Sequence, residues 1–122
     1  MFKLGIIEES LKHDKTLVLV KPYFFSQRIE HVQEAGYPSI WHINEYHVQD
    51  EKMKELLDYL KEEVKPTWYI HAFSNSQLYV VLPGKFFAVS LLRDNTWDEM
   101  IEYGTRTANV GEHFLENVPL SV

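Results

Sequence analysis

The sequence predicts an α+β fold: a mostly antiparallel sheet of four to six strands packed with two principal helices, over residues 50–65 and 97–107. Three observations carry this. Met53, Leu56, Leu57, Leu60 and Val64 fall at i, i+3, i+4, i+7 and i+11, the single apolar stripe of an amphipathic helix. Between residues 67 and 92, three short apolar runs are separated only by Ser74-Asn75-Ser76 and Pro83-Gly84. A parallel crossover needs a dozen or more residues, so these runs form an antiparallel meander. Finally, 122 residues with 45% apolar and 25% charged content suit one globular α+β domain spanning 1–122.

The elements follow in order. Phe2, Leu4 and Ile6 alternate with Lys3 and Gly5, which predicts a strand over Phe2–Ile7. Glu8–His13 reads as a helical turn or loop. Thr16–Lys21 holds the run Leu17-Val18-Leu19-Val20 and reads as a strand, although so short a run also suits a helix. Phe25, Ile29 and Val32 recur at i, i+4 and i+7, which predicts a helix over Pro22–Glu34, with Pro22 in its first turn and Ala35-Gly36 closing it. Tyr37-Pro38 restarts the chain in extended form, because a residue before proline avoids the helical region.

Ser39–Val48 reads as a strand with Ile40, His42, Asn44, Tyr46 and Val48 on one face and Trp41, Ile43, Glu45 and His47 on the other. Asp50 is positioned to cap the following helix and Pro66 to stop it. The meander strands are Thr67–Phe73, Gln77–Leu82 and Lys85–Leu92. Thr96-Trp97-Asp98-Glu99 matches a capping box that opens the second helix, and Gly104 weakens or ends it. Asn109-Val110-Gly111-Glu112 starts a short further turn through Leu115, and Pro119 ends regular structure.

Leu78–Leu82 and Phe86–Val89 are apolar at every position, whereas a strand with one wet face would alternate. Both faces of the meander must be covered. The two helices suffice for one face. For the other, the sequence offers the Pro22–Glu34 segment, a second subunit or an apolar ligand.

Composition narrows the function. Without cysteine there is neither a disulfide nor a thiolate site. The start Met1-Phe2-Lys3-Leu4-Gly5 lacks a signal-peptide pattern and no apolar run approaches membrane length, so a cytoplasmic, soluble protein is expected. The net charge of −6 contains no basic block, which argues against nucleic acid and anionic membranes as partners. Two arginines against six acidic residues give residues 93–122 a charge of −4, while Lys85 is the only charge between Pro66 and Leu92. No Gly-x-Gly-x-x-Gly, Walker or Gly-x-Ser-x-Gly pattern occurs, so no cofactor is implied.

The remaining chemistry lies in histidines and aromatics. His42 and His47 are five residues apart and point to opposite faces of a strand, so they cannot chelate one ion together. Either could join His71 if strands 39–48 and 67–73 are neighbours: His42 with His71 and Tyr46, or His47 with His71 and Glu45. These are the candidate catalytic residues for a small hydrolase or metal-dependent enzyme. No metal site is predicted, and the commoner role for such histidines is structural. Of seventeen aromatic residues, six lie in 23–46 and six in 68–87. Tyr37, Trp41, Trp68 and Tyr69 are the candidate binding residues. The reading that weighs most is a non-enzymatic binding or accessory module acting through an aromatic-rich sheet surface, with a second copy or another protein as its partner.

Overall fold

The computed structural model describes residues 1–122. It is an α+β fold built on one six-stranded sheet, all of whose neighbours run antiparallel. In chain order the strands are β1 (Phe2–Ile7), β2 (Phe24–His31), β3 (Ile40–Val48), β4 (Ile70–Phe73), β5 (Leu78–Leu82) and β6 (Lys85–Val89). In space they run β2-β3-β1-β4-β5-β6. The helices are α1 (Lys15–Val20), α2 (Asp50–Leu60), α3 (Asp98–Arg106) and α4 (Glu112–Leu115). No helix is long and apolar enough to cross a membrane.

The ladder registers sort side chains between the faces, because paired residues share a face. Phe2, Leu4 and Ile6 of β1 lie beside Val48, Tyr46 and Asn44 of β3, and Leu4 lies beside Ala72 of β4. This face packs on Met53, Leu56, Leu57, Leu60 and Val64, the stripe read from the sequence, and on Val20 of α1. The opposite face carries Leu78, Val80, Leu82, Phe87 and Val89, which pack on Trp97, Met100, Ala108, Val110, Leu115 and Val118.

Both faces of the meander carry packed helices, but not as expected, and on the α2 side the cover stops short of β6, where Phe86 is half-buried and Ala88 exposed. The two principal helices do not share one face. α2 covers one and α3, with α4 and the C-terminal segment, covers the other. The Pro22–Glu34 segment covers neither.

That segment is not a helix. Pro22 sits in a 3₁₀ turn, Lys21–Tyr23, and the chain then runs as β2 against β3, with a bulge between Phe24 and Ser26. All eight β2 residues are exposed, so the helical spacing of Phe25, Ile29 and Val32 has nothing to bury against. The strand exists because β3 offers an open edge whose backbone groups require partners. The second correction is the reverse: Thr16–Lys21 is not a strand but the body of α1. Thr16 and Val20, four apart, are buried while Val18 is 73% exposed, a helical burial pattern. The Thr16 hydroxyl donates to the buried Glu63 carboxylate at 2.9 Å, anchoring α1 by that face.

Smaller differences have equally local causes. α2 ends at Leu60, and the chain tightens into a turn in which Val64 bridges to Leu11 and Lys65 N–H donates to the Ser10 carbonyl. Gln49 holds the N-cap position, while Asp50 pairs with the terminal ammonium of Met1 at 2.6 Å. Before α3 the capping acceptor is Asp94, not Thr96: its carboxylate takes the Thr96 N–H at 2.9 Å and the Thr96 hydroxyl at 2.6 Å. Gly104 does not end α3. It lies where a β-carbon would overlap Leu115, so glycine lets α4 approach α3 closely.

Candidate aromatic pocket

The open half of the α3/α4 face, over β1 and β3, ends in a pocket. Its walls come from distant stretches of chain: Gly5 and Ile7 on β1, Tyr37 in the β2–β3 loop, Trp41 on β3, Thr67, Trp68 and Tyr69 leading into β4, His71 on β4, Val110 before α4 and Phe114 on α4. The cavity measures about 90 Å³ and opens to solvent. All four aromatics singled out in the sequence, Tyr37, Trp41, Trp68 and Tyr69, line it.

Ring packing sets the shape. Tyr37 is the hub, edge-on to Trp68 at 5.0 Å between centroids, to Phe114 at 5.7 Å and to Trp41 at 6.0 Å. Trp41 and Trp68 meet at 5.0 Å. Such edge-to-face pairs are favoured by the ring quadrupoles and give rigid walls. Two polar tips are tied off: Trp41 Nε1–H donates to the Pro38 carbonyl at 2.9 Å and Tyr37 O–H to the Thr67 carbonyl at 2.7 Å. Thr67 has φ +75°, a left-handed conformation that a β-branched residue adopts only under constraint. Its N–H donates to Ala108 at 2.8 Å, so it is pinned from both sides.

Other polar groups of the lining have no partner in the protein: Trp68 Nε1–H, the Thr67 hydroxyl, the Tyr69 hydroxyl and one ring nitrogen of His71. His71 is 9% exposed. Burial pushes its pKa down, so the ring is neutral at pH 7. Nε2 lies 3.0 Å from the Ser121 carbonyl, which can only accept, so Nε2 carries the proton and Nδ1 presents a lone pair. Nδ1 has no hydrogen-bond partner in the protein, nor has the Tyr69 hydroxyl, whose pKa burial pushes up to about 12. No side-chain nitrogen or oxygen is sealed away without a partner, and both residues line the pocket.

The catalytic candidates are dispersed. Strands β3 and β4 are not neighbours, because β1 lies between them. His42 and Tyr46 lie on the α2 face and His71 on the other, so the His42–His71–Tyr46 grouping does not form. His42 Nδ1 is 2.6 Å from Glu9, whose carboxylate also accepts the His42 backbone N–H at 2.7 Å. The bond to Glu9 raises the His42 pKa. For Glu9, burial pushes upward, but the hydrogen bonds from His42 outweigh it and the net shift is downward. Tyr46 is buried and accepts from Asn44 at 3.0 Å, and burial pushes its hydroxyl pKa up.

Glu45 and His47 do share the face of His71. They bond to each other at 2.6 Å, with Phe25 stacked on His47 at 4.0 Å. Gly5 of β1 intervenes between Glu45 and His71 in the ladder. No three His, Asp or Glu side chains converge closely enough to hold a metal ion.

Sequence reasoning missed Gly5, Thr67, Phe114 and Glu9. Gly5 had a signal, since a lone glycine within a strand pattern marks a close approach. The others become visible only once the chain is folded. No family model, no curated protein and no solved structure matches the chain.

Proposed function

We propose that this protein is a non-enzymatic binding module whose ligand is a small, flat, mostly apolar ring bearing one hydrogen-bonding group, taken up among Tyr37, Trp41, Trp68 and Tyr69. The observation that carries the reading is the pairing of rigid aromatic walls with unpartnered polar groups, Tyr69 O–H and His71 Nδ1 among them, on residues that line one cavity. Binding sites of small molecules combine these features: apolar lining and a few convergent polar atoms that orient the ligand. An apolar cavity of roughly 150 Å³ accepts a benzene ring. This one, at about 90 Å³ and open at its mouth, takes one ring with an edge left in water. A neutral acceptor at Nδ1 suits a phenolic or indolic donor. The alternative, a hydrolase or metal-dependent enzyme, has less support, since His42 and His47 each bond their own carboxylate on opposite faces.

Titration with phenol and indole, followed by amide chemical shifts, tests the reading. Saturable shifts at residues 37–41, 67–71 and 110–114 are expected, weakened about tenfold by Tyr69→Phe combined with His71→Phe, the loss of one or two hydrogen bonds. Shifts centred elsewhere, or none at millimolar probe, would overturn it.

A further inference from the structure

We infer that β2 is a self-pairing edge: two copies of the chain join β2 to β2 antiparallel, with Ile29 on the twofold axis, making one continuous sheet. β2 ends the sheet, and all of its residues are exposed, Ile29 at 56%. A long exposed edge strand with apolar side chains is a template for another strand.

The backbone restricts the pairing. Val32 N–H donates to the Ser39 carbonyl at 2.8 Å. Inward and outward groups alternate along an antiparallel strand, so Ser26, Arg28 and Glu30 direct their N–H and C=O groups at β3. Gln27, Ile29 and His31 therefore present theirs to solvent. A twofold centred on Ile29 sets these outward residues against each other: Ile29 on its own copy and Gln27 on the partner's His31. About six main-chain hydrogen bonds result, two for each facing pair.

Side chains then choose among the registers the backbone allows. Centring on Ile29 sets Arg28 opposite the partner's Glu30, and Glu30 opposite the partner's Arg28, in the closer, non-hydrogen-bonded positions. Centring one residue earlier would put Arg28 against Arg28, and one residue later Glu30 against Glu30. Only the Ile29 register turns both contacts attractive. In the single chain Arg28 and Glu30 already bond to each other at 2.9 Å while half exposed, so both head groups are in place at this edge. On the other face Ile29 would meet its symmetry mate, and Ile40, its diagonal neighbour on β3 and 43% exposed, would extend the apolar patch on each side. The bulge at Phe24/Ser26 limits the pairing at its near end.

Sedimentation equilibrium on the full chain between about 5 and 500 µM, with circular dichroism to follow folding, tests the inference. The wild-type chain is expected to dimerise. Ile29→Pro removes an outward N–H that β3 does not use, and is expected to give a folded monomer. Arg28→Glu is expected to weaken the dimer about tenfold or more, and Arg28→Glu with Glu30→Arg to restore it to within about threefold. If Ile29→Pro does not fold, the charge-reversal pair decides. A wild-type monomer throughout, a dimer in folded Ile29→Pro, or an Arg28→Glu dimer as tight as wild type would each overturn the inference.

Discussion

The imidazole of His71 lies over the bare backbone of Gly5. A β-carbon on Gly5 would stand 2.7 Å from His71 Cε1 and 3.1 Å from Nδ1. Three strands are involved, since Gly5 on β1 is paired with His71 on one side and Glu45 on the other. The missing side chain gives the His71 ring its place at the floor of the aromatic pocket.

Gly5→Ala is therefore expected to destabilise the protein by about 1–3 kcal/mol, the cost of inserting a methyl into a filled site. The same change in a His71→Ala background should cost less than about 0.5 kcal/mol, because the obstructing ring is gone. Urea denaturation of the four proteins measures both. Equal costs in the two backgrounds would show that some other contact opposes the methyl.

The two shifted histidines pull stability in opposite directions with pH. His71 is held neutral by burial, so its folded pKa lies below the unfolded value near 6.5. The unfolded chain binds the proton more readily, and this contribution falls away as pH drops below about 6.5. The His42 pKa is raised by Glu9, so its contribution is fully present below about 6.5 and is lost as pH rises through the folded value. Carbon-13 titration of the imidazole Cε1 signals is expected to place His71 below and His42 above the free value. Stability of His71→Gln should fall less than that of the wild type between pH 7.5 and 5.5.

Thr67 carries backbone strain at the pocket rim. Thr67→Gly removes the β-carbon that opposes a φ of +75°, and is expected to raise stability by about 1 kcal/mol, strain relief offsetting the greater entropy of glycine in the unfolded chain. Tyr37→Phe, which deletes the bond to the Thr67 carbonyl, should lower it by about 1 kcal/mol. Tyr69→Phe, with no partner to lose, should stay within about 0.5 kcal/mol of the wild type. Thermal unfolding ranks the three.

Thr16→Val tests the anchor of α1. Glu63 is 7% exposed and its carboxylate accepts from Thr16 and bonds His13 at 3.1 Å. Burial pushes its pKa up, yet these bonds outweigh burial and the net shift is downward. Removing the hydroxyl leaves a buried carboxylate short of one donor, at an expected cost of about 1.5–3 kcal/mol. A loss below about 0.5 kcal/mol would mean that water replaces the hydroxyl.

Where a segment's own pattern named its partner surface, the sequence determined the outcome. The stripe from Met53 to Val64 has one apolar side, and all five residues are buried. The turn residues at 74–76 and 83–84 forced β4, β5 and β6 into an antiparallel meander, and unbroken apolar runs in β5 and β6 required cover on both faces. The aromatic residues Tyr37, Trp41, Trp68 and Tyr69 could be singled out by type, but nothing in the sequence showed that they meet at one cavity. Tertiary structure decided the rest. Over Thr16–Val20 and Phe24–His31 the local periodicity was too short or too incidental to discriminate. The first became a helix because Glu63 and the core hold one helical face of it, the second a strand because β3 had an open edge. Tertiary structure also set α2 and α3 on opposite faces, and placed β1 between β3 and β4, which separated the histidines. It brought Gly5, Thr67 and Phe114 to one cavity, because closing a pocket from segments some hundred residues apart depends on strand order, and strand order follows from the packing of the whole chain.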